Sequence, residues 1–220
     1  MPRWNQCNQL MGEMKGRRCY LGVDLANSED LAAVVAVFPP VAPKEPVKVM
    51  CWFYIPEDNV HARSRKLGVP MEAWIDQGWI RTTPGNVIDI GKIEYDIAHD
   101  IAGQYQIVNL AYDRWGAVQF SQQMQSQGVN VIPWGQGFVD MSEPTKELGR
   151  LVASLAFNHG GNPVLAWMAA NSMATQDAAG NIKIDRKNSK QKVDGIVATV
   201  MGLGAMMRDS VGETRISFLG

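Results

Sequence analysis

The sequence predicts an α/β protein built as one domain, and three observations carry that expectation. Three β-rich runs follow one another between Cys19 and Tyr54. From Pro70 onward, stretches of helical spacing alternate with short β-branched runs, and an apolar stripe at helical spacing closes the chain. With 220 residues and 46% hydrophobic residues, the chain can bury one good core.

The elements follow in order. Residues 1–17 lack clear periodicity and read as a linker, so order is expected to begin near Arg18. Cys19 to Leu25 reads as a strand, Ala26-Asn27-Ser28-Glu29-Asp30 as a tight polar turn and Leu31 to Phe38 as a second strand, which together make a hairpin. Prolines 39, 40, 43 and 46 punctuate a loop before a third strand, Val47 to Tyr54. Pro70 can start a short helix carrying Met71, Trp74 and Ile75, which Gly78 ends, and Trp79 to Thr83 follows as a short strand. Asp89 is placed to cap a helix whose Ile90, Ile93, Ile97 and Ile101 recur at helical spacing. That helix leads into the strand Ile107 to Tyr112. A helix from about Trp115 stops near Gly128, Val129 to Ile132 is a further strand, and Ser142 can cap a helix with Leu148, Leu151, Val152 and Leu155 on one face. A short strand and a basic loop, "NIKIDRKNSKQK", precede the terminal helix, whose stripe is Val193, Ile196, Val197, Val200, Met201 and Gly204. Residues 211–220 read as a C-terminal tail.

Composition excludes some classes of function and leaves others open. A formal net charge of -1 gives no global sign of nucleic-acid binding, although a local basic surface fits within a neutral total. Cys7, Cys19 and Cys51 form no CxxC pair, and they share no zinc spacing with His61, His99 and His159, so they read as reduced thiols of a cytosolic protein. The polar start "MPRWNQCNQLMGEMKGRR" has no signal-peptide core, and no later run has the length to cross a bilayer; no membrane role is expected.

The chemistry lies in acids placed at element ends. Asp24 ends the strand Tyr20-Leu21-Gly22-Val23, Asp113 ends the strand up to Tyr112, and Asp194 borders the buried face of the terminal helix near its start. An isolated carboxylate at the end of a buried strand is costly unless a proton, an ion pair or a metal neutralises it. Each acid alone has a plain structural reading. Asp24 can open an Asx turn before Asn27, Asp113 can cap the following helix, and Asp194 can favour a helix dipole. If the two strands are parallel neighbours with the terminal helix across their carboxyl ends, the three converge. Hard oxygen ligands of this kind select Mg²⁺ or Mn²⁺ over zinc, and a pair of such ions about 4 Å apart activates water and stabilises the leaving oxygen in phosphodiester cleavage.

The segments "GRRCYLGVDLANSEDLAAVVAVFPP", "TPGNVID", "AYDRWGA", "QGFVDMSEPTKELGRLV", "HGGNPVLAWMAAN" and "GNIKIDRKNSKQKVDGIVATVMGLG", in that order over roughly residues 16 to 208, resemble the nuclease domain of the large terminase subunit of tailed bacteriophages, a member of the ribonuclease H-like superfamily. The resemblance implies a central mixed β-sheet, with three antiparallel strands and then parallel ones, flanked by helices. It implies that Asp24, Asp113 and Asp194 are both catalytic and metal-binding, with Mg²⁺ or Mn²⁺, two ions, as cofactor. The activity implied is a metal-dependent endonuclease cutting concatemeric double-stranded DNA in the cytoplasm of the infected bacterial host. The partners implied are double-stranded DNA, an ATPase domain, the small terminase subunit and the portal. Family members carry an amino-terminal ATPase motor, but this sequence has no G-x-x-x-x-G-K-S/T, and "GNVIDIGKI" reads as a turn entering a helix. Residues 1–17 are accordingly expected as a linker or the remnant of a connection to an absent ATPase domain, and residues 18–210 as the nuclease domain of an excised or truncated product.

Further residues have two readings each. Arg186, Lys187, Lys190 and Lys192 stand beside Asp194 and read either as phosphate contacts or as a solvated loop. Asp30 reads as a turn acid or an outer ligand, and His159 in "HGGNP" as a structural turn. Of the seven tryptophans, most, Trp115 and Trp167 included, are expected in the core; one exposed near the cleft could stack on a base. Competing functions are another ribonuclease H-like nuclease, such as a Holliday-junction resolvase or an RNA–DNA hybrid hydrolase, and a non-catalytic module docking DNA or the portal.

Overall fold

The computed structural model describes residues 1–25, 31–114 and 117–217, with side chains as far as residue 210. Its centre is a seven-stranded mixed sheet, formed by β1 (Arg18–Asp24), β2 (Ala32–Phe38), β3 (Val47–Pro56), β4 (Ile80–Thr83), β5 (Gln106–Asp113), β6 (Val131–Trp134) and the short β7 (Phe157–Asn158). The order across it is β4-β3-β2-β1-β5-β6, with β7 beside β3. The first three strands are antiparallel, whereas β5 joins β1, β6 joins β5 and β4 joins β3 in parallel. Every residue of β2 is buried, which is why that strand is an unbroken apolar run rather than an alternating one.

Helices cover both faces. One face carries Leu21, Val23, Val34, Tyr54, Leu110 and Tyr112, and packs against α4 (Ile90–Tyr95), its π-helical continuation Asp96–Ile101, and α5 (Val118–Ser126). The other carries Tyr20, Val35, Val37, Phe53 and Ala111 under α6 (Phe138–Ala153), α7 (Pro163–Asn171) and the long α8 (Asp194–Ser217). Two small helices, α2 (Val60–Leu67) and α3 (Met71–Asp76), fill the β3–β4 connection, and a two-stranded ribbon, β8 (Ala174–Gln176) with β9 (Ile182–Ile184), lies against α6.

Several expectations need correction. Order begins well before Arg18: α1 (Pro2–Gln6) buries Trp4, and Cys7 and Met14 are buried too. Trp4 stacks on His159 at 4.8 Å, its carbonyl pairs with His159 Nε2 at 3.0 Å, and the His159 amide donates to the Cys7 carbonyl at 3.0 Å. His159 is thus a structural residue of a turn, whose Gly160 and Gly161 take positive φ. Ser142 does not cap α6. That helix starts at Phe138 after Gly137, runs through Pro144, and buries Ser142, whose Oγ accepts from the Ile182 amide at 3.2 Å. α5 starts at Val118, β6 lies two residues later than expected, and α8 continues to Ser217. Asp89 caps α4 as expected, accepting from the Lys92 amide at 3.3 Å. Trp4, Trp74 and Trp134 are buried, while Trp52, Trp79 and Trp167 are half-buried. The three cysteines are free thiols. The turn from Ala26 to Asp30, with the Asp30 reading, and Trp115 lie outside the described residues. Among the described residues no helix is long and apolar enough to cross a membrane.

Candidate metal centre

Strand parity puts two of the acids on one face. Along β1, Tyr20 points to the α8 side and Val23 to the α4 side, so Asp24 points to the α8 side; along β5, Ala111 points to the α8 side and Asp113 follows it by two. Val23 aligns with Tyr112 across the parallel β1–β5 pair, so Asp24 and Asp113 stand next to each other on adjacent strands, about 5 Å apart along the sheet.

The third acid is delivered by a close crossing. A Cβ placed on Gly22 would lie 1.8 Å from the Ala198 carbonyl oxygen, and one on Gly202 would lie 3.1 Å from the Gly22 amide nitrogen. Backbone therefore meets backbone where α8 crosses β1, an approach that only glycine permits. Asp24 lies two residues beyond that crossing on the strand, and Asp194 one turn before it on the helix. The burial of Val193, Ile196, Val197, Val200 and Met201 holds the helix down.

Burial then makes the cluster electrically costly. Asp24 is 2% exposed and Asp194 is 8% exposed. Burial pushes the Asp24 carboxyl above its ordinary range, against the pull of Arg186, and the charge of Asp113 pushes the same way. Burial and then the charge of Asp24 push Asp194 up to about 7, with Arg186 and Lys192 opposing. Asp194 Oδ2 is buried and has no hydrogen-bond partner. The plain readings of these acids fare unevenly. Asp194 does open α8, where the helix dipole favours a negative charge, but a dipole does not satisfy that oxygen. Asp113 does not cap α5, because Ala117 stands at the N-cap and makes no side-chain bond there.

Arg186 sits differently from its lysine neighbours. It donates to Asp24 Oδ2 instead of lying along the surface. Burial opposes its charge, yet Asp24, Asp194 and Asp113 together outweigh that and raise its pKa. Lys187 and Lys190 are exposed on the same loop, and Lys192 is half-buried beside Asp194. Asp185, the lone acid facing these cations in the sequence, folds the loop by accepting from the amides of Lys187 (3.1 Å) and Asn188 (3.0 Å). The hard carboxylate donors and the unmet Asp194 oxygen fit a divalent cation. Among the described residues, however, no three acids, histidines or cysteines are drawn in closely enough to enclose one as they stand.

Comparison with known proteins agrees with this architecture. The family model described as "Terminase large subunit, endonuclease domain" matches residues 1–210, which includes the segment packed ahead of β1. The large terminase subunit of Enterobacteria phage HK97 is 34% identical over 202 residues, covering 90% of this chain and 40% of that protein. Protein YmfN of Escherichia coli K12 is 25% identical, covering 93% of this chain and 47% of that protein. The chain thus spans less than half the length of the curated relatives it matches. The crystal structure of the HK97 large terminase superimposes with a TM-score of 0.85 at 32% identity, over 93% of this chain and 42% of that one. The nuclease of the large terminase from thermophilic phage G20c superimposes with a TM-score of 0.56 at 12% identity, over 91% and 94% of the two chains, and shares the fold. With its seven-stranded mixed sheet and a family match over nearly its whole length, this chain belongs to the endonuclease-domain family of terminase large subunits.

Proposed function

We propose that the chain is a metal-dependent endodeoxyribonuclease that hydrolyses phosphodiester bonds of double-stranded DNA during phage genome packaging. The observation that carries this is the placement of Asp24 and Asp113 on adjacent strands with Asp194 one helical turn before the backbone crossing, and a buried Asp194 oxygen left unmet. Structures of the G20c nuclease with bound cobalt and with bound magnesium, at TM-scores of 0.54 and 0.50, support a divalent cofactor, for which we name Mg²⁺ or Mn²⁺, as two ions. Such ions, when bound, would activate water and stabilise the departing oxygen.

The chain's own residues would hold those ions and orient the strand. β1 and β5 fix Asp24 and Asp113 on adjacent strands, while α8 sets Asp194 over them, so the ligands are held by the sheet and a packed helix rather than by flexible loops. Arg186 and Lys192 provide positive charge beside the acids, and Lys187 and Lys190 extend it along the exposed loop, where a DNA backbone would run. Phosphate contacts of this type position DNA without reading its sequence, so cleavage is expected to show little base preference. We place translocation outside this nuclease domain, with an ATPase domain, the small terminase subunit and the portal as the proposed partners that bring concatemeric DNA to the site. A large terminase from another thermophilic bacteriophage, crystallised in complex with ATP-gamma-S, is matched over 44% of its length, which supports that division.

The experiment is plasmid cleavage by the purified protein in Mg²⁺, Mn²⁺ and EDTA. Weak nicking and linearisation in either metal, with none in EDTA, is expected. Equal cleavage in EDTA, or none in any divalent ion, refutes the proposal, and far faster resolution of a four-way junction than of plain duplex would transfer it to the resolvase class.

A further inference from the structure

Asp24 and Asp113 stand on adjacent strands with Asp194 one helical turn before the crossing, and the Arg186 guanidinium reaches in toward them. Arg186 donates to Asp24 Oδ2 and lies within electrostatic reach of Asp194 and Asp113. Its side chain is 41% exposed and that of Asp24 only 3%, so it runs from the surface down to a buried acid. A guanidinium is permanently charged, only donates, and has a fork that fits a carboxylate or a phosphate equally well.

The loop that presents Arg186 does not depend on this pair for its shape. Asp185 Oδ2 accepts from Asn188 Nδ2 at 2.8 Å, the Asp185 amide donates to the Met173 carbonyl at 2.8 Å, and the Lys190 amide donates to the Asn171 carbonyl at 3.2 Å. The loop is thus anchored to the end of α7, and the arginine side chain can change partner without the loop opening. In its present position it answers one acid and leaves Asp194 Oδ2 without a hydrogen bond, a demand that a monovalent fork beside Asp24 does not meet.

We propose that Arg186 is an internal counter-cation: it takes the place of a divalent ion beside Asp24 in the metal-free protein, and metal loading releases its guanidinium onto a DNA phosphate. The inference rests on the nuclease reading and deepens it. A divalent ion held by Asp24 and a guanidinium on the same carboxylate repel each other in a partly desolvated site, so the two compete. A freed guanidinium beside a bound phosphodiester has an anion of matching geometry at hand. Metal and DNA each favour the released arginine, so each raises the affinity of the other.

The test uses Mn²⁺ alone and duplex DNA in Ca²⁺, so that no cleavage is needed. Calorimetric titration of Mn²⁺ into the DNA-free protein should show Arg186→Gln binding roughly tenfold more tightly than wild type, because no charge-assisted pair has to be broken first. Arg186→Lys, with charge but no fork, should fall between them. In Ca²⁺ the glutamine variant should bind duplex DNA more weakly than wild type, with a smaller gain over metal-free conditions. Equal or weaker Mn²⁺ binding by Arg186→Gln, beside measurable wild-type binding, overturns the counter-cation role while leaving the metal centre standing. No Mn²⁺ binding by either protein at millimolar metal overturns the metal centre itself and this inference with it.

Discussion

Buried acids on the two faces of the sheet, Asp96 on one and Asp24 with Asp194 on the other, have opposite surroundings. Asp96, at the start of the π-helical turn, is fully buried; its Oδ2 accepts from Tyr54 at 2.9 Å and Arg81 at 2.5 Å, and its Oδ1 pairs with Lys92. Burial opposes its charge, but those three donors outweigh it and hold the carboxyl below its usual range. Asp24 and Asp194, on the α8 side, share one arginine with Asp113, and both are pushed upward. A buried acid that serves the fold is surrounded by its partners, which is how ionised groups are tolerated in a core. At the crossing Asp194 Oδ2 is left buried without a hydrogen bond, a state expected where a cation is to be received.

The largest effect that can break this contrast is on cleavage. Asp24→Asn, Asp113→Asn or Asp194→Asn removes one charge and keeps the shape, and each should lower the plasmid cleavage rate about a thousandfold or more, equivalent to ~4 kcal/mol. The same substitutions should leave the melting temperature of the metal-free protein unchanged or raise it, because repulsion is relieved. Asp96→Ala should do the reverse, costing about 3 kcal/mol by denaturant unfolding while sparing the metal centre, since it strands two cations and a buried Tyr54 hydroxyl.

The pH dependence sharpens the contrast. Asp194 holds its proton up to about 7 in the folded chain, whereas an unfolded aspartate releases it near 4, so the folded state binds the extra proton between those values. Stability of the metal-free protein should therefore fall as pH rises from about 4 to about 7, and Asp194→Asn should flatten that slope in denaturant unfolding at several pH values. Asp96 is shifted in the other direction, so its contribution is present above the usual carboxylate range and lost in acid, as its folded pKa is passed. The smallest effect is at the rim. Lys187→Ala with Lys190→Ala should reduce the slope of log DNA affinity against log salt by roughly two in Ca²⁺, without changing base preference. Identical slopes would leave those lysines as solvated surface.

Much of this contrast is legible in the residues, and what is not has physical causes. Asp24 and Asp113 can be placed because an apolar strand ending in an acid is locally visible, and Asp89 because a cap lies next to the stripe it starts. Their convergence with Asp194 is not visible in any local pattern. It depends on a β1–β5 pairing across more than eighty residues and on the Gly22–Ala198 approach, and a glycine in a strand does not name its partner. Residues 1–17 read as structureless because Trp4, Cys7 and Met14 have no common period; Trp4 and Cys7 are buried on one side of the sheet, where both bond to His159, and Met14 on the other. α2 has no apolar stripe to reveal it, since its sequence VHARSRKL buries only Ser64. α7 does carry a signal beside the HGGNP turn, because Asn162 and Pro163 are a cap followed by a proline at the first helical position. Asp96 carries none, since its cations come from β4 and from a lysine one turn earlier.

The central claim is that Asp24, Asp113 and Asp194 together receive divalent cations, and a crystal of the protein soaked in millimolar Mn²⁺ tests it most directly. Anomalous difference density between these three carboxylates, with Arg186 turned away from Asp24, is the predicted result. Manganese bound elsewhere, while the three acids and their arginine stay as they are, would contradict it.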